Sequence, residues 1–422
     1  MKIKTIKLSY EEVLKVKPKP YIKPKKPNIL FRTLLKIVSL PDLLATKFKY
    51  TKEGLEKIEK KEPVLILMNH SAWIDLEEIV SMIYPKPMNI VCTTDGFIGR
   101  NWLLRELGCI PTIKFYTDTQ LVRRMMNAIK KFKSSVLMYP EAGYSIDGTS
   151  TTLPNTLGKC IKLLKVPVVT VISKGNYFRQ PLYNNLRKRK VETSAHMKYL
   201  LSKEDIANMS ALEIQSIVEK EFSFDNWKWQ QENNIEIADS TRAEGLNRVL
   251  YKCPNCKTEG NMVGSGTTLK CPDCGKEYEL TTTGYLEALN GETEINHVPT
   301  WYKWQRECVK EEILNHNYLM DLDVDIFMMI DTYKLYDLGE GHLIHNEDGY
   351  HLNAFDGQLK VNIPAERTYS INADFYWYQI GDVITLVEDG KQYYCFPKTK
   401  RDVVTKMRLA TEELYKIKNN KN

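Results

Sequence analysis

The chain has 422 residues, 43% of them hydrophobic, 10% aromatic and 27% charged, which excludes disorder, collagen and low-complexity fibre and suggests about three domains. Its formal charge of +7 is unevenly placed. Residues 1–50 hold 13 basic and three acidic side chains, a local +10, which leaves 47 basic against 50 acidic in the other 372. A body at −3 argues against nucleic acid as its partner.

The basic leader is not a secretory signal, because its lysines run into VKPKPYIKPKKP (16–27) and no uninterrupted apolar stretch follows. That tract is expected to be extended and solvated. Leu30, Phe31, Leu34, Leu35 and Val38 then recur at helical spacing with Arg32 and Lys36 on another face, and Pro41 is expected to end the helix. Arg32, Lys36 and Asp42 interrupt stretch 29–44, which is therefore no span of the ~18 to 20 apolar residues a membrane requires. A basic amphipathic helix behind a polybasic tract either lies in an anionic membrane interface, each Lys or Arg adding about 1 kcal/mol, or packs on its own domain. The stripe alone does not say what it buries against.

From residue 60 onward, short apolar runs (64–68, 90–93, 110–113, 136–139 and 166–172) alternate with amphipathic stretches. This βαβα order predicts an α/β domain with a mostly parallel sheet flanked by helices. In such sheets the ligand crevice lies beyond the carboxyl ends of the strands, so the residues just after each run are the ones to inspect.

Residues 202–247 read as charged helix with tryptophans, and 250–285 as a cysteine-rich module. From Asp321 the period changes to two: Leu322, Val324 and Ile326 alternate with Asp321, Asp323 and Asp325, and turns recur at NEDG and EDG. Residues 401–418 are expected to form a helix closing an antiparallel β domain, a small barrel or half-barrel. The expected division is a leader with membrane-contact helix (1–50), an α/β domain (51–235), a zinc ribbon with flanking linker (236–290), and a linker with the β domain (291–422).

The first run ends VLILMNHSAWID, which puts His70 at a strand end and Asp75 in the first turn of the following helix. The spacing alone is weak, and His351 and Asp356 share it in a turn-rich region, where it is expected to mean nothing. At a strand end, however, a carboxylate one turn away can accept from Nδ1 and leave Nε2 free as a base. His70 is the only histidine before residue 196. LGCIPTIK delivers Lys114 from the third run, and VLMYPEAGYS delivers Glu141, Ala142 and Gly143 from the fourth. A base dyad, a cation and a carboxylate beside a small-residue turn fit group transfer to a phosphate-bearing alcohol.

NHSAWID, LGCIPTIK, YPEAGYS and KVPVVTV occur in the order and approximate spacing of the four motifs of the glycerolipid acyltransferases, and residues 60–200 resemble the bacterial 1-acyl-sn-glycerol-3-phosphate acyltransferases. The resemblance implies that fold and a fatty acyl transfer from acyl-CoA or acyl carrier protein to the free hydroxyl of lysophosphatidic acid, without an organic cofactor. It makes His70 the general base and Asp75 its orienting group, places Lys114 at a phosphate-binding position usually held by arginine, and assigns Glu141, Ala142, Gly143 and Pro167 to substrate binding. The family's third motif commonly reads FPEGTRS; here Ala142 replaces a glycine and Tyr144 the arginine, with Arg123, Arg124 or Lys174 as candidate replacements for the missing cation. An acyltransferase for glycerol-3-phosphate or another lysophospholipid is one alternative, and a non-catalytic lipid-binding adaptor another.

KCPNC and KCPDCG, with fourteen residues between Cys256 and Cys271, set Cys253, Cys256, Cys271 and Cys274 at zinc-ribbon spacing. Four thiolates leave no open position, so the zinc is expected to be structural. A thioredoxin-like redox motif is disfavoured by two pairs without βαβ context. Only Lys257 and Lys270 with Glu259 lie between the pairs, so no basic-aromatic surface for nucleic acid is expected. The other five cysteines read as small core residues. The C-terminal strands and helix resemble a PH-like domain, and His342, His345 and His351 are expected to be exposed or cross-strand rather than metal-bound. Together these readings give a cytoplasmic enzyme, peripheral on the inner face of the cell membrane, with an anionic bilayer and acidic acyl carrier protein as partners.

Overall fold

The computed structural model describes residues 3–21, 23–116 and 118–420. They divide into two compact units: one comprises Pro20–Pro181 and Arg187–Asn226, the other Met1–Lys19, Leu182–Leu186 and Trp227–Asn422.

The first unit is built on a seven-stranded sheet in the order Lys49–Glu53, Ser194–Leu201, Val168–Lys174, Leu65–Met68, Ser135–Met138, Met88–Thr93, Cys109–Thr112. The last five are mutually parallel and correspond to the five apolar runs; Ser194–Leu201 is antiparallel to Val168–Lys174 and carries Lys49–Glu53 alongside it. Both faces of the central strands are covered, which is why they read as continuous apolar runs. Leu65 and Leu67 join one cluster with Ile129, Leu157 and Phe222, while Ile66 and Met68 join another with Ile79, Met88 and Phe97.

Two expectations for the leader are corrected. The helix runs Ile29–Ala45 straight through Pro41. Its last turn is held from outside: Asp42 is ion-paired with Arg179 and, at 2.6 Å, with Lys188, and Leu43 packs with Ala72 and Ile74. That packing outweighs the one backbone bond a proline removes. The proline-lysine tract is extended but not freely solvated. Lys19 N–H donates to Asp331 Oδ2 at 3.0 Å, Lys25 pairs with Glu106, Arg124 lies 5.0 Å from the Tyr21 ring centroid, and Pro27 is buried.

The second unit holds an eight-stranded sheet. Seven strands run in the order Leu359–Pro364, Gly349–Ala354, Leu335–Asn346, Met320–Met329, Lys391–Pro397, Gly381–Glu388, Asn372–Trp377, each antiparallel to its neighbours. The eighth, Thr5–Lys7 from the leader, pairs parallel with residues 335–337. The helix Val404–Lys418 buries Met407, Leu409 and Leu414. His342 bridges Asp321 and Asp323 across strands, His351 bonds Asn362, and His345 is buried against Tyr318 and Tyr350. His351 and Asp356, the spacing control, make no pair: Asp356 lies in the turn after the strand. A four-stranded antiparallel sheet, Val263–Ser265 to Leu286–Ala288, carries the cysteine module. Among the described residues no helix is long and apolar enough to cross a membrane.

Candidate functional site

The site is assembled where the parallel strands end. Asn69 ties two of those ends together: its Oδ1 accepts from Ser173 N–H at 2.8 Å, and its Nδ2 donates to Ser173 O at 3.1 Å. His70 follows, with its side chain 21% exposed, and its Nδ1 lies 2.9 Å from Asp75 Oδ2. Asp75 is fully buried and well supplied with donors. Oδ2 also accepts from Ser71 N–H at 2.7 Å and Ala72 N–H at 3.0 Å, and Oδ1 accepts from Asn176 Nδ2 at 2.7 Å. Such a carboxylate fixes the ring and selects the tautomer with the proton on Nδ1, which directs the basic lone pair of Nε2 outward.

Asn176 also donates to Glu78 Oε2 at 2.8 Å. Burial, then the charge of Asp75, pushes the Glu78 carboxyl well above the usual carboxylate range. Gly175 places Asn176: its φ is +86°, and a Cβ there would lie 2.4 Å from the Glu192 carbonyl oxygen.

Glu141 braces the motif loops. Its Oε2 accepts from His70 N–H at 2.8 Å, and its Oε1 accepts from Thr151 N–H at 2.9 Å and Thr151 Oγ1 at 3.2 Å. Burial pushes this carboxyl up to about 7 despite those donors. Ala142 sits at φ +58°, a left-handed position that explains why a glycine suits it. A Cβ on Gly143 would meet nothing within 4 Å, so that side of the turn is open. Lys114 lies half-buried just past Cys109–Thr112.

The structure does not bring Pro167 to this site. Its carbonyl accepts from Leu65 N–H at 2.9 Å, at the start of the strand whose far end leads to His70. At roughly 3.3 Å per residue that is on the order of 15 Å away. Arg124 is engaged elsewhere, donating to Pro111 O at 3.1 Å. Asn176 and Glu78 were not legible as site residues, although Asn176 stands two residues beyond a strand end, where chemistry is expected.

Four sulfurs meet in the other unit. Cys253, Cys256, Cys271 and Cys274 have their Sγ atoms all within 4.8 Å of one another, with Cys253–Cys274 at 3.8 Å and Cys256–Cys271 at 3.6 Å. A zinc tetrahedron with Zn–S of about 2.3 Å has edges of about 3.8 Å, so the sulfurs fit a metal ion. Each pair sits in a tight knuckle: Lys257 N–H donates to Cys253 O at 3.0 Å and Gly275 N–H to Cys271 O at 2.9 Å.

Among curated proteins none matches the chain. Among solved structures it is similar to the 1-acyl-sn-glycerophosphate (LPA) acyltransferase PlsC from Thermotoga maritima, at 18% identity and a TM-score of 0.34, over 45% of this chain and 78% of that one. Residues 49–174 match the Acyltransferase family. That segment contains His70, Asp75, Lys114 and Glu141, so the chain carries an acyltransferase-family domain with the histidine–aspartate pair inside it.

Proposed function

We propose that the protein transfers a fatty acyl group from acyl-CoA or acyl carrier protein to the free hydroxyl of 1-acyl-sn-glycerol-3-phosphate, giving phosphatidic acid for phospholipid synthesis. The observation that carries this reading is the His70–Asp75 pair at the sheet's carboxyl edge, inside the matched segment. Nε2 takes the acceptor's hydroxyl proton as the oxygen attacks the thioester carbonyl carbon. The tetrahedral intermediate collapses, the C–S bond breaks, and His70 returns the proton to the departing thiolate. Lys114 holds the acceptor phosphate as a point charge.

A second acceptor class is favoured by one feature: Tyr144 lies against the imidazole, its ring centroid 4.4 Å away, where the resemblance places a second phosphate-binding cation. Glycerol-3-phosphate or a lysophospholipid with another head group is that alternative. Purified protein assayed with each acceptor and both donors is expected to acylate lysophosphatidic acid fastest. Turnover with none of them would leave the adaptor reading in its place. The seven antiparallel strands and closing helix support a PH-like reading of the C-terminal domain.

The N-terminal helix supports docking to an anionic bilayer on the inner face of the membrane. Its two possible uses are combined: Leu43, Ser39 and Asp42 face the domain, whereas Leu30, Leu34, Ile37, Val38, Leu40 and Leu44 are 42–75% exposed. No charge interrupts that outer face. Arg32 donates to Pro85 O, and Lys36 lies 4.5 Å from the Tyr84 ring centroid. Exposed Trp102, packed edge-on against Phe31 at 5.5 Å, borders it, as interfacial aromatics do. Apolar insertion thus dominates, with the leader's lysines adding attraction. Changing Leu34, Ile37 and Leu44 together to glutamate is expected to weaken binding to phosphatidylglycerol liposomes by at least about tenfold without altering thermal unfolding. Equal binding in sedimentation assays would remove this helix as the docking element.

A further inference from the structure

Two aromatic rings flank the histidine proposed as the base. Tyr139 stacks on its imidazole, with ring centroids 3.9 Å apart and planes inclined by 19°, and Tyr144 lies against it at 4.4 Å and 48°. Tyr139 is the last residue before the motif turn, directly after the strand Ser135–Met138, so its backbone is fixed by the sheet. Its hydroxyl is buried with no hydrogen-bond partner among the described residues. A phenol placed for its oxygen would have one, because leaving a buried hydroxyl unmade is costly. Burial, followed by the nearby Asp75 charge, holds the phenol neutral. What Tyr139 offers its surroundings is therefore the ring face.

We infer that Tyr139 and Tyr144 are positioning residues for the acyl-transfer step, an electron-rich aromatic clamp that stabilises His70 once it has become an imidazolium. This rests on His70 acting as the base. Before the acceptor's proton arrives, the clamp provides only packing. When the acceptor's proton arrives on Nε2, positive charge spreads over a ring already stacked on the negative face of Tyr139's π system, in a site where Asp75 and Glu78 are fully buried. That attraction appears only as the proton moves, so it lowers the barrier without tightening substrate binding. Asp75 stabilises the same charge through the ring's edge. The clamp works through its faces, and the two contributions are geometrically separate.

The test varies ring electron density at constant shape. With Tyr139→Phe as reference, 4-fluoro-, 3,5-difluoro- and pentafluorophenylalanine are placed at position 139 of the full chain, and kcat and KM are measured for lysophosphatidic acid acylation. The clamp predicts a stepwise fall in kcat reaching roughly 3- to 30-fold at five fluorines, with KM unchanged. The same series at position 144, on a Tyr144→Phe reference, is expected to show a fall as well, and thermal unfolding verifies that each variant is folded. Pentafluoro variants turning over as fast as their Phe references overturn the clamp. His70→Ala separates the two assignments: an inactive His70→Ala with a flat fluorine series removes the clamp alone, whereas an active His70→Ala removes the base on which it rests.

Discussion

Replacing His70 with alanine lowers acyl transfer by roughly 10²- to 10⁴-fold, the usual range for loss of a general base. The substitution is structurally mild. Asp75 keeps Ser71 N–H, Ala72 N–H and Asn176 Nδ2 as donors, so no buried carboxylate is orphaned. The strand end stays tied by Asn69 to Ser173, and the His70 backbone N–H still bonds Glu141. Circular dichroism and the unfolding temperature of the variant should match those of the unaltered protein. The rate loss can then be read as chemistry rather than unfolding. Asp75→Asn is a poorer probe, because an amide nitrogen turned toward Ser71 and Ala72 would set donor against donor. Unchanged turnover by folded His70→Ala would refute the base assignment.

Withdrawing metal from the four cysteines should have the largest effect on stability. The module's strands are only three or four residues long, and its apolar anchors are few: Leu269, Tyr278, Leu280 and Leu286, with Tyr278 edge-on to Trp301 at 5.0 Å. Strands so short have little to hold them beyond these anchors, and a cross-link between the two knuckles adds directly to them. Structural zinc in isolated fingers is worth about 10 to 16 kcal/mol at neutral pH, enough to decide folding outright. Freshly purified protein is expected to contain one zinc per chain. Chelation or Cys271→Ser should melt the module and lower the unfolding temperature of the unit that contains it, while liposome binding through the separate N-terminal helix persists. Metal-free protein with an unaltered unfolding transition would exclude a structural zinc.

Much of the α/β domain was legible because buried parallel strands write themselves as apolar runs, and five such runs became five parallel strands. Lys49–Glu53 was not, since KYTKE is exposed throughout and has no alternation to detect. His70, Asp75 and the four cysteines were legible as local motifs. Asn176, 101 residues from Asp75, was not, because a buried amide linking two carboxylates is a property of three-dimensional packing. Pro41 misled for a related reason: local chemistry ends a helix there, and the ion pairs of Asp42 continue it. The leader looked like one element because its charge is continuous, whereas its first strand pairs with residues far along the chain.

That pairing sets an order of events during synthesis. Thr5–Lys7 docks on residues 335–337, so this strand waits for more than three hundred later residues before it has a partner. The acyltransferase unit, drawn almost entirely from Pro20–Asn226, has all its strands available long before then. Domains generally fold as units as they are made, so this unit is expected to fold on a chain whose C-terminal sheet is still incomplete. Its apolar N-terminal helix is therefore presentable to a bilayer while translation continues. A ribosome-bound nascent chain stopped near residue 260 should already associate with vesicles, before the strand Thr5–Lys7 has its partner.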